Sequence, residues 1–424
     1  MRIDQGKYLE DGYVILRQAV PPKRLEGLRL LAELMVDRTK ALSAAARTPE
    51  QPTGGAWYAN PQPRVEVPEV VDDQTAGLVD FCLGENTLGI ASQITRAPHT
   101  FIRQMQISCS THIDYGYTDW HRDSSATEQT PLFGLAQDQL ENNPGYVQWN
   151  VALYDDDVFW LVPGSHARAD TEEERRALML DPRTQLPTGV CADLKAGDAI
   201  AYSNLIMHWG SCYTSKLRRT LHLGYRSFGG EIFSYSNGFS WGTDISFTRH
   251  LSPAATAHFE AGLGWHRREM DEIEAALRAI IQRDAKAFLE RLGRLHPGAS
   301  QRMTTVVLLS RLAAKAHLLT RPEVASLPRE KQAPLVAGPV DNSVYFDLGD
   351  RFTPAETECL QARFTRLNAL LEQDRGRVHS QYAGVFGQLR PGVEPPDFES
   401  RPLRQFQTDM PEGFGVEQFV ASWT

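Results

Sequence analysis

The chain has 424 residues, 42% of them hydrophobic and 23% charged, a composition that fits a folded protein and excludes wholesale disorder or a collagen-like repeat. A net charge of −9 argues against a nucleic-acid partner held by bulk electrostatics. No apolar run reaches the ~20 residues of a membrane helix, and the five scattered cysteines contain no CxxC, which predicts reduced thiols in a cytoplasmic protein. The opening MRIDQGKYLEDGY has no apolar stretch of the kind a signal peptide carries.

Residues 4–20 predict a short helix followed by the strand Tyr13-Val14-Ile15-Leu16. After Pro21-Pro22 a long amphipathic helix is expected, with Leu25, Leu28, Leu31, Leu34 and Met35 on one stripe. Ala45 to Pro63 is rich in Pro, Gly, Thr and Gln and predicts an exposed loop. FIRQMQISC (101–109) alternates with period two, placing Ile102, Gln104, Gln106 and Ser108 on one face. Further strands are expected at Tyr146–Leu153, Phe159–Val162, Asp198–Tyr202 and Thr220–Ser227, with a charged helical insert, TEEERRALML, between Arg168 and Leu180. Many short strands in succession predict a sandwich or barrel. Beyond about Ser252 the pattern becomes helical: a stripe through 270–293, a helix over 301–319, and a capping box, Thr353-Pro354-Ala355-Glu356, opening another helix.

Imidazole and carboxylate two apart in an extended segment project to the same side and can reach one metal ion. The chain holds two such pairs, His112/Asp114 and His121/Asp123, and with twelve histidines the pattern alone decides nothing. Downstream, Gly197-Asp198 leads to His208, and Arg219 follows eleven residues later. A second imidazole would complete a face of two His and one carboxylate, and an arginine on a neighbouring strand suits a dicarboxylate. Period two puts Arg219, Leu221, Leu223 and Tyr225 on one face and Thr220, His222 and Gly224 on the other. With Arg219 pointing inward, His222 points away.

Four segments occur in an order that resembles the phytanoyl-CoA dioxygenase family: YLEDGYVILRQAVPPKRLEGLR, WHRD, VQWNVALYDDDVFWLVPGSH and AGDAIAYSNLIMHWGSCYTSKLRRTLHLGYRS. The resemblance covers roughly residues 8–230. It implies a mainly β core, a double-stranded β-helix (jelly roll, cupin-like) with flanking helices, over residues 1–250, and leaves 251–424 as a mainly helical C-terminal region that packs on the core or forms an interface, including a homo-oligomeric one. It implies Fe(II), 2-oxoglutarate as co-substrate and O₂, with release of succinate and CO₂. By motif, His121, Asp123 and His208 match the iron ligands and Arg219 the arginine on the distal carboxylate of 2-oxoglutarate; Trp149 and Gln104 match positions facing co-substrate or substrate. Trp120 before His121, and the spacing on to His166 and His208, favour His121/Asp123 over His112/Asp114. His166, in PGSH, is expected to stabilise a turn. The sequence departs from the family's pattern at Trp209, directly after His208, and in DDDVFW, which lacks Asn-Gly before PGSH. Tyr115, Tyr117, Trp160 and Trp209 fit a substrate pocket or an aromatic core equally. The expected activity is hydroxylation, or another oxidation, of a small organic substrate, with secondary metabolism the preferred setting and neither nucleic acid nor membrane as partner. The residues leave two rivals: a cupin-like metalloenzyme without 2-oxoglutarate, and an inactive binding or scaffold module.

Overall fold

The computed structural model describes residues 2–97, 99–123, 131–228, 239–242, 244–295, 302–336, 343–397, 400, 403 and 406–423. Helix α1 (Gln5–Asp11) is capped by the Asp4 side chain and ends at Gly12 with φ 82°. A Cβ at Gly12 would lie 2.5 Å from the His166 ring, so the turn needs glycine on both counts. His166 also bonds the Leu9 carbonyl through Nε2 at 2.9 Å, which pins the start of the chain to the PGSH turn. Helix α2 (Pro22–Ala45) buries Leu28, Ala32, Met35 and Val36, an i, i+4, i+7, i+8 stripe. Leu34, expected on that stripe, is exposed, and Ala32 takes a buried place on it.

Among the described residues ten strands form two antiparallel sheets. They are β1 (Tyr13–Leu16), β2 (Arg64–Glu66), β3 (Thr100–Cys109), β4 (Gly116–Tyr117), β5 (Tyr146–Ala152), β6 (Phe159–Leu161), β7 (Val190–Cys191), β8 (Ala199–Tyr202), β9 (His208–Cys212) and β10 (Arg219–Ser227). The larger sheet runs β1-β8-β5-β10-β3-β2 and the smaller β4-β9-β6-β7. One face of the larger sheet is apolar: Met105, Ile107, Val147, Trp149, Val151, Leu221, Leu223 and Tyr225 join Leu28 and Met35 of α2 in the main core. The alternate residues on the other face, among them Gln104, Gln148, Asn150 and His222, line a cavity shared with the smaller sheet. Gln104 pairs with Gly224 while Ile102 pairs with Tyr225, leaving Arg103 as an extra residue. That bulge moves Ile102 into the core, so it does not share a face with Gln104 as expected.

The helix Glu172–Leu180, capped by Thr171, buries Met179 against Tyr382 and Phe386 of the helix Pro354–Leu389. The helix Pro253–Gln282 joins two cores. Its first half places Phe259 and Leu263 in the sheet core, and its second half places Ile273, Leu277 and Ile280 in a helical core with Phe288, Leu309, Leu360 and Phe364. The capping box at Thr353 and Glu356 forms as expected. Among the described residues no helix is long and apolar enough to cross a membrane. Where sheet and helices meet, Arg226 of β10 bonds both carboxylate oxygens of Glu269, at 2.6 and 2.7 Å. Their side chains are 1% and 10% exposed. Removing one partner of such a buried pair costs about 3–5 kcal/mol, so Glu269→Ala should lower the urea midpoint by that equivalent, while the exposed pair Arg176–Glu172 can be broken with little effect.

Candidate metal centre

The site is built on a backbone contact between two distant segments. His121 and His208 exchange hydrogen bonds, each N–H donating to the other's carbonyl at 3.0 and 2.9 Å. Asp123 N–H donates to Asn204 O at 2.8 Å, extending the pairing past the motif. The exchange puts both imidazoles on one side, 4.4 Å apart between ring centres. Each Nδ1 is occupied by a carbonyl, that of Asp119 at 2.7 Å for His121 and that of Ile206 at 3.0 Å for His208. Both Nε2 atoms therefore face Asp123, at 3.6 Å from Oδ1 and 3.4 Å from Oδ2. The three donor atoms lie within 4.8 Å of one another, and no other group of this kind occurs among the described residues.

Burial works to raise the Asp123 pKa, but His208, His121 and the Gln148 amide outweigh it and hold the carboxyl below the ordinary range. Gln148 Nε2 donates to Oδ2 at 2.7 Å. Carbonyls that fix the histidine tautomer, and an amide that fixes the carboxylate, are what a metal ligand set requires around it. Phe159 and Tyr202 pack against the His208 ring, each with centres 5.4 Å away.

The cavity, about 270 Å³, is lined by these donors and by Gln104, Ser108, Asn150, Arg218 and His222. Three expectations fail here. Arg219 does not reach the cavity: it projects from the apolar face of β10 and pairs with Glu33 of α2, Nε to Oε1 at 2.9 Å and Nη2 to Oε2 at 3.0 Å. Its neighbour Arg218 takes the inward place. Arg218 Nε donates to Asp156 Oδ2 at 3.0 Å, and the same oxygen accepts from Thr220 at 2.6 Å. His222, expected to point away, faces inward, its Nδ1 2.9 Å from Asn150 Oδ1; burial and the nearby Arg64 cation push its pKa down to about 3, so the ring is neutral. Trp149 is fully buried in the sheet core, edge-on to Tyr225 at 6.0 Å, and touches no part of the cavity. The common reason is register: Leu221, Leu223 and Tyr225 belong to the packed face, and their parity carries Arg219 and Trp149 with them. Gln104 does line the cavity, accepting from Tyr146 Oη at 3.3 Å.

His112 packs against Tyr58, ring centres 4.4 Å apart and tilted, and Asp114 accepts from Thr214 N–H at 2.7 Å, both apart from the three donors. Trp209 stacks between Tyr117 (4.3 Å) and Trp120 (4.6 Å), a three-ring column behind the histidine strand. Trp160 packs on the same cluster, and Tyr115 bonds Arg183, so none of these four aromatics lines the cavity.

Two imidazoles and one carboxylate on one side of a cavity are the donor set of mononuclear non-haem iron oxygenases, with coordination positions left for co-substrate and O₂. The family model of phytanoyl-CoA dioxygenase (PhyH) matches residues 8–220, just over half the chain, and the chain belongs to that family. It is accordingly a non-haem iron, 2-oxoglutarate-dependent oxygenase, working with Fe(II), 2-oxoglutarate and O₂. Similar solved structures include the non-haem α-ketoglutarate-dependent epimerase SnoN from nogalamycin biosynthesis, 16% identical, covering 53% of this chain and 81% of that one with a TM-score of 0.36. EctD from S. alaskensis with 2-oxoglutarate and 5-hydroxyectoine is 16% identical, covering 53% and 76% with a TM-score of 0.39. AviO1 from Streptomyces viridochromogenes Tue57 is 18% identical, covering 53% and 94% with a TM-score of 0.38. No curated protein matches the chain.

The surroundings of the donors set the outcome of a metal titration. His208→Ala should abolish stoichiometric Fe(II) binding under anaerobic calorimetry. Gln148→Ala, which frees Asp123 to rotate, should weaken it about 10–100-fold, and His112→Ala should leave it unchanged.

Proposed function

We propose that the chain is a dioxygenase that hydroxylates a small organic substrate, with His121, Asp123 and His208 holding Fe(II) and Arg218 holding the distal carboxylate of 2-oxoglutarate. The observation that carries this reading is the convergence of the three donors on a cavity that also contains an arginine whose terminal nitrogens bond no other described residue. When bound, Fe(II) with 2-oxoglutarate activates O₂, and the co-substrate leaves as succinate and CO₂.

The chain's own residues prepare that chemistry. Each histidine donates its Nδ1 proton to a carbonyl, leaving the Nε2 lone pair for the metal. Gln148 keeps Asp123 from turning away. Asp156, almost fully buried, takes the Nε edge of Arg218, so the fork of Nη1 and Nη2 is turned to the cavity for a bidentate carboxylate contact. Phe159 and Tyr202 keep water off one side of His208. The retention of a carboxylate at Asp123, where Ala or Gly would leave a position for halide, supports hydroxylation over halogenation. We assign residues 1–250 to the catalytic unit on a double-stranded β-helix, a reading supported by the non-sequential strand orders of the two sheets, and 251–424 to the helical region packed on it.

Anaerobic addition of Fe(II) and 2-oxoglutarate should produce a weak visible charge-transfer band; a protein that binds Fe(II) without the band refutes the co-substrate assignment. Hydrogen bonds to charged groups contribute about 1.5–3 kcal/mol, so Arg218→Ala should raise KM for 2-oxoglutarate by about ten- to a hundred-fold in succinate-release assays. Arg218→Lys should recover part of this, keeping charge without the fork, and Asp156→Asn should raise the same KM with kcat little changed. Arg219→Ala should cost stability at the α2 contact and leave KM unaltered; the opposite pattern would return the role to Arg219.

A further inference from the structure

Beside the metal-facing cavity lies a larger one of about 770 Å³, and Arg64 and Gln104 line both. Gln104 pairs across β10 with Gly224, which pairs with Gln148, the residue that holds Asp123. The two spaces therefore adjoin at the level of the metal donors. Strand β2 supplies one wall. Val65 is fully buried, and the period of two places Arg64 and Glu66, about 6–7 Å apart along the strand, together on the cavity side.

These two side chains carry opposite charges on one face, yet each bonds the Gln106 amide and not the other. The Gln106 amide stands between. Arg64 Nη1 donates to Gln106 Oε1 at 3.2 Å, and Gln106 Nε2 donates to Glu66 Oε1 in a short bond. Gln106 is itself held from behind by Gln104 Nε2 at 2.8 Å. The Glu66 carboxylate is half-buried with an amide as its only described partner, and desolvating a charge without a counter-ion is costly. Closing the pair directly would relieve that cost. The glutamine instead keeps a cation and an anion apart on the cavity lining, and each retains bonding capacity: the second oxygen of Glu66, and Nε and Nη2 of Arg64. Trp241 and Phe247 add an apolar wall.

We propose that this split ion pair recognises the substrate, and that the substrate is a small zwitterion of amino-acid type, its ammonium donating to Glu66 and its carboxylate accepting from Arg64. The proposal rests on the oxygenase reading above, because it places the zwitterion beside the metal donors at Gln104. Neither charge of such a ligand needs a solvent counter-ion, and the two fixed heads select against molecules bearing only one of them.

The test uses the full chain loaded with Fe(II) and 2-oxoglutarate. Succinate release and calorimetric binding are read with the twenty proteinogenic L-amino acids, β-alanine and γ-aminobutyrate, and with the N-acetyl derivative and methyl ester of each. At least one free amino acid should bind and stimulate succinate release, and either derivatisation should weaken it about tenfold or more. Glu66→Gln should weaken the free compound and no longer discriminate against the N-acetyl form; Arg64→Gln should do the same for the ester. No response to any free amino acid, or variants that shift free and derivatised compounds equally, overturns the proposal. The charge-transfer band is recorded on the same proteins: its presence without an amino-acid response sinks the zwitterion alone, whereas its absence from the wild type sinks the oxygenase reading, with calorimetry still reporting on Glu66 and Arg64.

Discussion

The site depends on the pair of backbone hydrogen bonds that His121 and His208 exchange. Eighty-seven residues apart in sequence, the two histidines become neighbours only because the segment entering the smaller sheet pairs with the start of β9. Side-chain placement then follows: one pairing sets both imidazoles to the same side, and the extended step from His121 brings Asp123 after them. Trp209 acts from behind the same strand. Alternation sends it to the opposite face from His208, where it stacks on Trp120, the residue before His121. The residue that departs from the family's pattern thus reinforces the pairing on which the donors rely.

Charge is managed by separation. The inward face of the larger sheet carries amides, hydroxyls and a neutral histidine; of the charged groups around the cavity, Arg218 is held by Asp156, Asp123 by Gln148, and Arg64 and Glu66 share Gln106. Arginines that fall on the outward face are neutralised there, Arg219 by Glu33. The cavity thus has acceptor character at Asp123 and donor character at Arg218 and Arg64.

The metal donors were legible because they sit in short local motifs, and an extended His-x-Asp step fixes its own geometry. Which of Arg218 and Arg219 faces inward was not, because period two sorts a strand into two faces without saying which one lines the cavity. The information was present in composition. Leu221, Leu223 and Tyr225 alternate with Thr220, His222 and Gly224 as Val147, Trp149 and Val151 alternate with Gln148 and Asn150, and an apolar set that continuous belongs against α2. Reading the polar sets as the cavity lining would have selected Arg218, Gln148, Asn150 and His222 together. The bulge at Arg103 has no such signature, since an extra residue in a strand leaves the local composition unchanged. Leu34 misled for the converse reason: a long apolar side chain outranks alanine in any pattern, yet the buried stripe of α2 runs through Ala32.

The bond between Arg226 and Glu269 bears on how such a molecule can be divided or recombined. Composition changes near residue 250, and by that pattern a chain cut there divides a β unit from a helical one. Yet the guanidinium on the strand that also carries His222 is neutralised from beyond the cut, and the helix supplying Glu269 fills the sheet core with Phe259 and Leu263 as well. Excising the helical region would expose an apolar patch and strand a buried cation on β10. The first half of the helix Pro253–Gln282, up to Glu269, therefore packs as part of the sheet's own core, and any exchange of helical regions has to carry that half with the sheets.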